Sequence, residues 1–372
     1  KELADAERGI QMLQGFGSIS GLRVNLAKTC IFPIQSREEE PQNFPSGIEW
    51  APTTFKYLGV QVYRTVDDLR EGNMGKAMRA LKGSVGFWKT LRLPVMARIT
   101  LVKMIVLPRL LYYFANLPIL IPREWFKQID VLLREMIWSG GRSRVSLETL
   151  KNPITRGGLG LPDLECYYLA AQLQWVAKWI GGKNLMEVRG GEDMGRASFD
   201  VVRLVSKGRP HEQRQDNVLV KVALRCWRRV QKLVRGRDLY APAIRLIDIP
   251  RTRGGGRFTE TELRNWIECG ITTVGDCYSD KTRLPLEALM EQFGLPVGQF
   301  LTYAAISAAL DQLWGMGVVE PEEHEVLQVL VTWGGGRHVI QAVYKVLNAM
   351  VRAPLTRTKD RWERLLGKEL GE

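Results

Sequence analysis

The clearest strand in the sequence is Phe55-Lys56-Tyr57-Leu58-Gly59-Val60-Gln61-Val62, which is rich in aromatic and β-branched residues. Upstream of it, 22–26 and 29–32 also have strand-like patterns, and 3–14 predicts a helix that ends at Gly15, Gly17 and Gly21. Downstream, apolar residues recur at helical spacing, which predicts helices over 74–91, 95–116, 122–138, 164–181, 215–236, 260–269, 285–293, 297–314, 321–333 and 337–350. The sequence therefore predicts a mainly α protein with a small β portion near its N-terminus.

The composition excludes a disordered chain and favours a polyanionic partner. Of 372 residues, 45% are hydrophobic and 25% are charged, which is enough apolar surface for more than one core. The formal net charge is +13, and a basic protein of this kind most often binds nucleic acid.

The cysteines and the N-terminus predict an intracellular protein. Five cysteines are widely scattered, with no Cys-x-x-Cys pair, which indicates reduced thiols in the cytoplasm or nucleus. No initiator Met or secretory leader is visible, so we expect a chain cut from a longer protein. The most apolar stretch, 99–122, is interrupted by Lys103, Arg109 and two prolines, which argues against a membrane span.

The positive charge is regional. Residues 76–144 carry 13 basic side chains against three acidic ones, and 201–257 carry 15 against four. Residues 258–372 are instead acidic, with 16 acidic against 11 basic side chains, and the change coincides with the glycine-rich loop at 251–257. We expect this loop to be a hinge rather than a phosphate cradle, because it lacks the P-loop Lys-Ser/Thr. The change in charge at this loop predicts a domain boundary after 257.

The two basic stretches are the candidate nucleic-acid surfaces. Both are interleaved with aromatic residues, a combination that suits phosphate contacts with some base stacking. The predicted contacts are Arg98, Lys103 and Arg109 in the first stretch, and Lys221, Arg225, Arg228, Arg229 and Lys232 in the second. A solvated helix face is the ordinary alternative for either stretch, and a calmodulin-type or membrane-surface helix is another for the second.

Several segments, taken in order, resemble LINE-type non-LTR retrotransposon reverse transcriptases. The first two are Phe16-Gly17-Ser18-Ile19-Ser20-Gly21-Leu22-Arg23-Val24-Asn25 with Lys28-Thr29, and Phe55-Lys56-Tyr57-Leu58-Gly59-Val60. The similarity continues through Ala97-Arg98-Ile99, Lys103-Met104, Leu107-Pro108-Arg109-Leu110-Leu111-Tyr112, Arg156-Gly157-Gly158-Leu159-Gly160-Leu161-Pro162-Asp163, Ile271-Thr272-Thr273-Val274-Gly275-Asp276 and Phe293-Gly294-Leu295-Pro296. Each piece is weak alone, but their order and spacing make the set specific to that family.

The resemblance implies roles for several residues. Residues 1–72 would be the end of the polymerase palm, 73–150 a helical thumb, 151–257 a basic connector and 258–372 an acidic helical domain. Lys28 would be a candidate general acid for the pyrophosphate leaving group, although a surface lysine is the simpler interpretation. The primer grip would be a hairpin that holds the primer terminus with Phe55, Lys56, Tyr57, Leu58 and Gly59; the alternative is an ordinary half-buried strand.

The resemblance also implies that the catalytic aspartates lie upstream of Lys1. In this family they hold two Mg²⁺ ions for nucleotidyl transfer, so Mg²⁺ would belong to the full-length parent and the chain alone would be inactive, without cofactor. Asp67-Asp68 is expected at a helix N-terminus or in a loop. The cysteines and histidines show no zinc spacing, and the endonuclease part of such polyproteins is absent.

The expected function is therefore binding of template RNA and primer DNA as an RNA–DNA hybrid, with the missing polymerase and endonuclease parts as further partners. A retrotransposon-derived helical module that binds proteins, or a decayed remnant without a nucleic-acid role, is the alternative. The acidic region with Trp266, Trp314 and Trp333 fits that alternative.

Overall fold

The computed structural model describes residues 3–32, 49–50, 53–180, 218–233, 240–252, 256–314, 324–333 and 338–352. These residues are mainly helical, as predicted. The chain divides into two compact units, Lys1–Ser84 and Val85–Glu372. Among the described helices, none has the length and apolarity needed to cross a bilayer.

The first unit combines a helix with short strands and most of a second helix. Its elements are α1 (Leu3–Ser20), β1 (Cys30–Ile31), β2 (Glu49–Trp50), β3 (Thr54–Tyr57), β4 (Val60–Tyr63) and the start of α2 (Val66–Thr90). β1 and β2 are parallel, whereas β3 and β4 form an antiparallel hairpin with Phe55 opposite Val62 and Tyr57 opposite Val60. The predicted strand at 55–62 is therefore two strands.

A two-residue turn closes this hairpin. Leu58 and Gly59 have φ values of 46° and 90°, and two successive residues with positive φ match the twist of a hairpin. Glycine adopts this conformation freely, but leucine does so only with strain.

Two predictions for the first unit are wrong. Helix α1 continues through Gly15 and Gly17 and stops only before Gly21, whose φ of 75° suits a residue that follows a helix. Residues 22–26 do not form a strand; a 3₁₀ turn, Leu26–Lys28, follows Asn25 instead. The apolar alternation there is short, and none of the described strands pairs with these residues.

The second unit is helical. Its helices are α3 (Val95–Leu101), α4 (Leu107–Asn116), α5 (Arg123–Ile137), α6 (Leu147–Lys151), α7 (Leu164–Ile180), α8 (Val218–Leu233), α9 (Arg264–Glu268), α10 (Leu286–Phe293), α11 (Phe300–Trp314), α12 (Glu325–Trp333) and α13 (Val339–Val351). A small hairpin joins β5 (Tyr278–Ser279) to β6 (Thr282–Arg283). Each of these helices overlaps a predicted one within the described residues, except α6, which the sequence analysis does not predict. The predicted boundary after 257 falls inside this unit.

One π-helical turn, Val102–Val106, joins α3 to α4. Pro108 lies just after it and cannot donate a helical hydrogen bond, so the predicted helix over 95–116 is continuous but locally widened.

Helix α7 is the centre of the second unit. It packs against α4, α5, α8, α12 and α13, and most of its side chains are buried. The Tyr168 hydroxyl donates to the carbonyl of Ile119 at 2.9 Å and accepts from the amide of Ile121 at 3.2 Å. The thiol of Cys226 on α8 lies 3.4 Å from the same hydroxyl, and the Gln172 amide donates to the carbonyls of Phe114 and Leu117. One face of α7 therefore holds both the end of α4 and helix α8.

A buried ion cluster joins the start of α7 to the end of α13. Asp163 accepts from Arg352 at 2.7 Å and lies 3.4 Å from the Lys151 ammonium, and it also caps α7 by accepting from the Cys166 amide. Lys151 also pairs with Asp130 at 3.1 Å. Asp163, which ends the glycine-rich motif, is thus a structural residue that connects positions 189 apart in the sequence.

Candidate nucleic-acid interface

The tip of the β3–β4 hairpin is exposed. Tyr57 and Leu58 keep 62% and 74% of their surface in solvent, and Lys56 is also exposed. Phe55 is half-buried, with its ring centroid 4.9 Å from that of Phe32. The predicted primer-binding residues therefore separate into one anchor, Phe55, and an accessible tip of basic, aromatic and apolar side chains.

Asn73 on α2 holds the hairpin and was missed by sequence reasoning. Its side chain is fully buried; its oxygen accepts from the Gln61 amide at 3.0 Å, and its nitrogen donates to the carbonyls of Gln61 at 2.7 Å and Leu69 at 2.8 Å. An asparagine at helical spacing gives no sign of this role, because its partner belongs to a strand. The pairing fixes the middle of β4 and thereby the orientation of the tip.

Lys28 lies at the end of the 3₁₀ turn in the first unit, and its side chain is exposed. It has no ion-pair or hydrogen-bond partner among the described side chains. This position is compatible with contact to a phosphate and equally with a surface lysine.

Arg98 differs from the predicted surface contact. It is only 6% exposed, and its guanidinium donates to the carbonyls of Leu91, Leu93 and Met136 at 2.7 to 3.0 Å and contacts the Ser139 hydroxyl. Sequence periodicity placed Arg98 on a polar face, but carbonyls from two distant segments converge on it. Arg98 therefore joins these segments, and its buried guanidinium is not available for contact with a duplex at the surface.

Lys103 and Arg109 are exposed on the α3–α4 segment. The Lys103 ammonium lies near the glycine-rich motif, 3.3 Å from where a Cβ on Gly160 would be. Exposed Met104 and Tyr112 accompany these cations along the same segment, with 70% and 41% of their surface in solvent. This segment therefore presents a mixed basic and apolar surface.

Helix α8 is strongly amphipathic. Lys221, Arg225 and Lys232 are exposed along one face, while Cys226 and Val230 are buried on the other. Arg229 is half-buried and donates to the carbonyl of Ile121 at 2.8 Å, so it helps to attach α8 to the segment after α4. Arg228 is half-buried and also has an interaction within the protein. Of the five predicted cations, three face solvent without an ion pair among the described residues.

The aromatic residues between the basic stretches mostly belong to the core. Trp88 and Trp227 are buried, and the Trp227 ring lies 5.5 Å from that of His324. Phe87 and Tyr112 are the exposed members of the set. The positions of Trp88 and Trp227 therefore do not favour base stacking.

The glycine-rich loop at 156–162 uses its amide groups internally. The amides of Gly157, Gly158 and Gly160 donate to the carbonyls of Ile154, Pro153 and Asn152 at 2.8 to 3.1 Å. These donors are occupied and do not form a phosphate cradle. For the loop at 251–257, predicted as a hinge, residues 253–255 lie outside the described part of the chain.

Asp67 and Asp68 lie in the first turn of α2, as expected. Thr65 caps this helix by accepting from the Asp68 amide at 3.1 Å, and Asp67 pairs with Arg70 at 2.9 Å. In the part of the chain that the structure describes, no three His, Cys, Asp or Glu side chains converge to hold a metal ion.

No model of a known protein family matches the sequence.

Proposed function

We propose that this chain is the C-terminal part of a non-LTR retrotransposon reverse transcriptase and that it binds template RNA paired with primer DNA. The ordered motifs quoted above support the parentage. In the intact polyprotein, upstream palm residues would supply the Mg²⁺-dependent chemistry, while this chain would hold the duplex. The chain alone would bind nucleic acid without polymerising it.

The observation that carries the proposal is the exposed face of α8. Three exposed cations of this face form no ion pair with a carboxylate of the described residues: Lys221, Arg225 and Lys232. Each of them can neutralise one phosphate. The α3–α4 segment, with Lys103 and Arg109, packs on the same central helix as α8. Two basic elements attached to one rigid helix suit a long, repetitive polyanion better than a compact one.

The hairpin tip supports the primer-grip assignment. Lys56 offers a cation and Tyr57 an aromatic surface, and Asn73 holds β4 so that the tip is presented in one orientation. A nucleic-acid strand can approach the Leu58–Gly59 turn closely, because Gly59 has no side chain.

A filter-binding titration tests the proposal. The chain should bind an RNA–DNA hybrid, with affinity that falls steeply between 50 and 200 mM salt in the logarithmic manner of counterion release. The variant Lys221→Gln/Arg225→Gln should reduce the slope of log affinity against log salt by about 1.8, at about 0.9 for each lost phosphate contact.

The matched control is Arg264→Gln/Lys345→Gln, which removes the same charge from two exposed positions on α9 and α13 that form no ion pair with the described residues. For this control, the slope of log affinity against log salt should stay close to that of the unaltered chain. Equal loss in both variants would mean that only net charge matters, and salt-independent or absent binding would reject the proposal.

A protein-interaction module is the second candidate, because apolar side chains are exposed near the start of α11. Val297, Phe300 and Leu301 keep 88%, 64% and 79% of their surface in solvent. Absent or salt-flat binding in the same titration would favour this function.

A further inference from the structure

A cleft in the second unit lies outside the surfaces assigned above. It has a volume of about 820 Å³ and lies between the segment at 93–98 and the end of α5 with the loop that follows it, 137–144. This volume is in the range of small-ligand sites, about 300 to 1,000 Å³. A volume of this size can admit one nucleotide.

The floor of the cleft carries an uncompensated positive charge. Arg98 is buried there, and its hydrogen bonds go to carbonyls and a hydroxyl rather than to a carboxylate among the described residues. A buried guanidinium is usually paired with an acid, so this charge makes the cleft attractive to an anion. The same hydrogen bonds join Leu91 and Leu93 to Met136, and they hold the two sides of the cleft at a fixed separation.

Two further arginines line the cleft near solvent. Arg142 and Arg144 are exposed, and in the described part of the chain neither forms an ion pair or hydrogen bond. No aspartate or glutamate lines the cleft. Guanidinium groups favour phosphate because they can donate two parallel hydrogen bonds to its oxygens.

The remaining wall is apolar, with one free donor. Leu93, Pro94, Val95 and Ile137 line it together with Trp138. The Trp138 indole nitrogen is buried and has no hydrogen-bond partner in the described structure. The donors that a ligand in the cleft can reach are therefore those of Arg142 and Arg144. A ligand that offers anionic acceptors to these arginines and a flat, weakly polar surface to the apolar wall has the chemistry of a nucleotide.

We infer that this cleft binds one nucleotide of a single-stranded nucleic acid, with the phosphate at Arg142 and Arg144 and the base and sugar on the apolar wall. The inference rests on the proposed function, because it assigns a second place on the chain to the same class of ligand. It adds a site for an unpaired strand to the proposed duplex contacts of α8.

The test measures binding of a labelled single-stranded oligonucleotide by fluorescence anisotropy. Arg142→Gln/Arg144→Gln should weaken binding at least about tenfold at low salt, and should lower the salt slope by about 1.4, at about 0.7 for each contact to a single strand. Arg264→Gln/Lys345→Gln is again the charge-matched control and should change neither. The Arg142 and Arg144 side chains are exposed and form no ion pair or hydrogen bond with the described residues, so both variants should retain the circular dichroism of the unaltered chain.

Photo-crosslinking locates the site independently of affinity. An oligonucleotide that carries 5-iodouridine should crosslink to peptides containing Leu93–Arg98 or Ile137–Arg144, and inorganic phosphate or a phosphoserine peptide of equal charge should compete poorly. Crosslinks confined to other peptides, or equal affinity of the cleft variant and its control, would overturn the inference. Equal competition by the phosphopeptide would overturn the nucleotide assignment.

The two proposals fail differently. If the cleft variant behaves as its control while Lys221→Gln/Arg225→Gln loses hybrid binding, the cleft inference is wrong and the proposed function stands. If the unaltered chain binds neither hybrid nor single strand, the proposed function is wrong and the inference falls with it.

Discussion

At the scale of single residues, the arginines of one basic stretch differ in whether their side chains are buried in the fold or exposed to solvent. Arg98 is enclosed by carbonyls, whereas Arg142 and Arg144 are free in solvent. The sequence shows three arginines in a basic stretch and cannot separate them, because the carbonyl of Met136 is 38 positions from Arg98. The sequence therefore predicts regional charge better than it predicts which cations are available.

Replacing Asn73 should destabilise the first unit. Asn73→Ala leaves the half-buried backbone amide and carbonyl of Gln61 without these partners, which should cost about 1 to 3 kcal/mol. Urea unfolding and hydrogen exchange at the Gln61 amide measure the effect. Asn25→Ala is the control, because Asn25 is exposed and its side chain makes no capping bond; it should change stability by less than about 0.5 kcal/mol. Equal stability of the two variants would contradict the anchoring role.

At the scale of elements, helix positions follow from apolar periodicity but their ends do not. The predicted helices of the second unit lie where the structure has them, since each has a continuous apolar face to bury. The end of α1 was misplaced because Gly15 and Gly17 cost helix stability without stopping the helix. The predicted start of α2 was late because the first turn, with Asp67 and Asp68, is polar.

Two glycines of α2 should respond in opposite directions to the same substitution. Gly83 has open space around the position of a Cβ, so Gly83→Ala should raise the free energy of unfolding by about 0.5 to 1 kcal/mol through helix propensity. A Cβ on Gly72 would overlap the phenol ring of Tyr63, so Gly72→Ala should lower it by about 1 to 3 kcal/mol. Thermal and urea unfolding compare the pair. A stabilising Gly72→Ala would show that Tyr63 does not pack on α2 as described.

At the scale of the whole molecule, the buried thiols report the integrity of the second unit. Cys166, Cys226 and Cys277 are buried, and burial raises the pKa of Cys226 to about 11 and that of Cys277 to about 12. Burial also raises the pKa of Cys166. At pH 8, iodoacetamide should modify exposed Cys30 rapidly and the three buried thiols only after unfolding. Rapid modification of Cys226 in the folded chain would contradict the described core.

The same shifts predict a loss of stability at alkaline pH. A raised pKa in the folded state keeps the thiol protonated, so its contribution is complete below about pH 9 and is lost as the pH rises toward 11 to 12. The midpoint of urea unfolding should therefore fall between pH 9 and 11. Cys226→Ala should reduce this decline, whereas Cys30→Ala should leave it unchanged. An identical decline in both variants would assign the effect to other groups.

Long-range organisation was the least predictable level. The sequence suggests a boundary after 257, where the charge changes sign, yet α13 packs on α7 and Arg352 reaches Asp163. A change in surface charge says little about which apolar faces meet, because burial is decided by side chains that point away from the solvent. Likewise, the cleft with Arg142 and Arg144 needs two segments about 45 residues apart in sequence to come together.

The hydroxyl of Tyr168 has a mechanical consequence. It is hydrogen-bonded to the segment that follows α4 and contacts Cys226 of α8. This one oxygen atom therefore helps to fix the distance between the α3–α4 segment and α8. Tyr168→Phe would remove no charge from the surface, but it would remove the hydrogen bonds that fix the distance between the two basic elements. Under the proposed function, Tyr168→Phe would change the selectivity for a strand of a given width, although the Tyr168 side chain is buried and does not reach the surface.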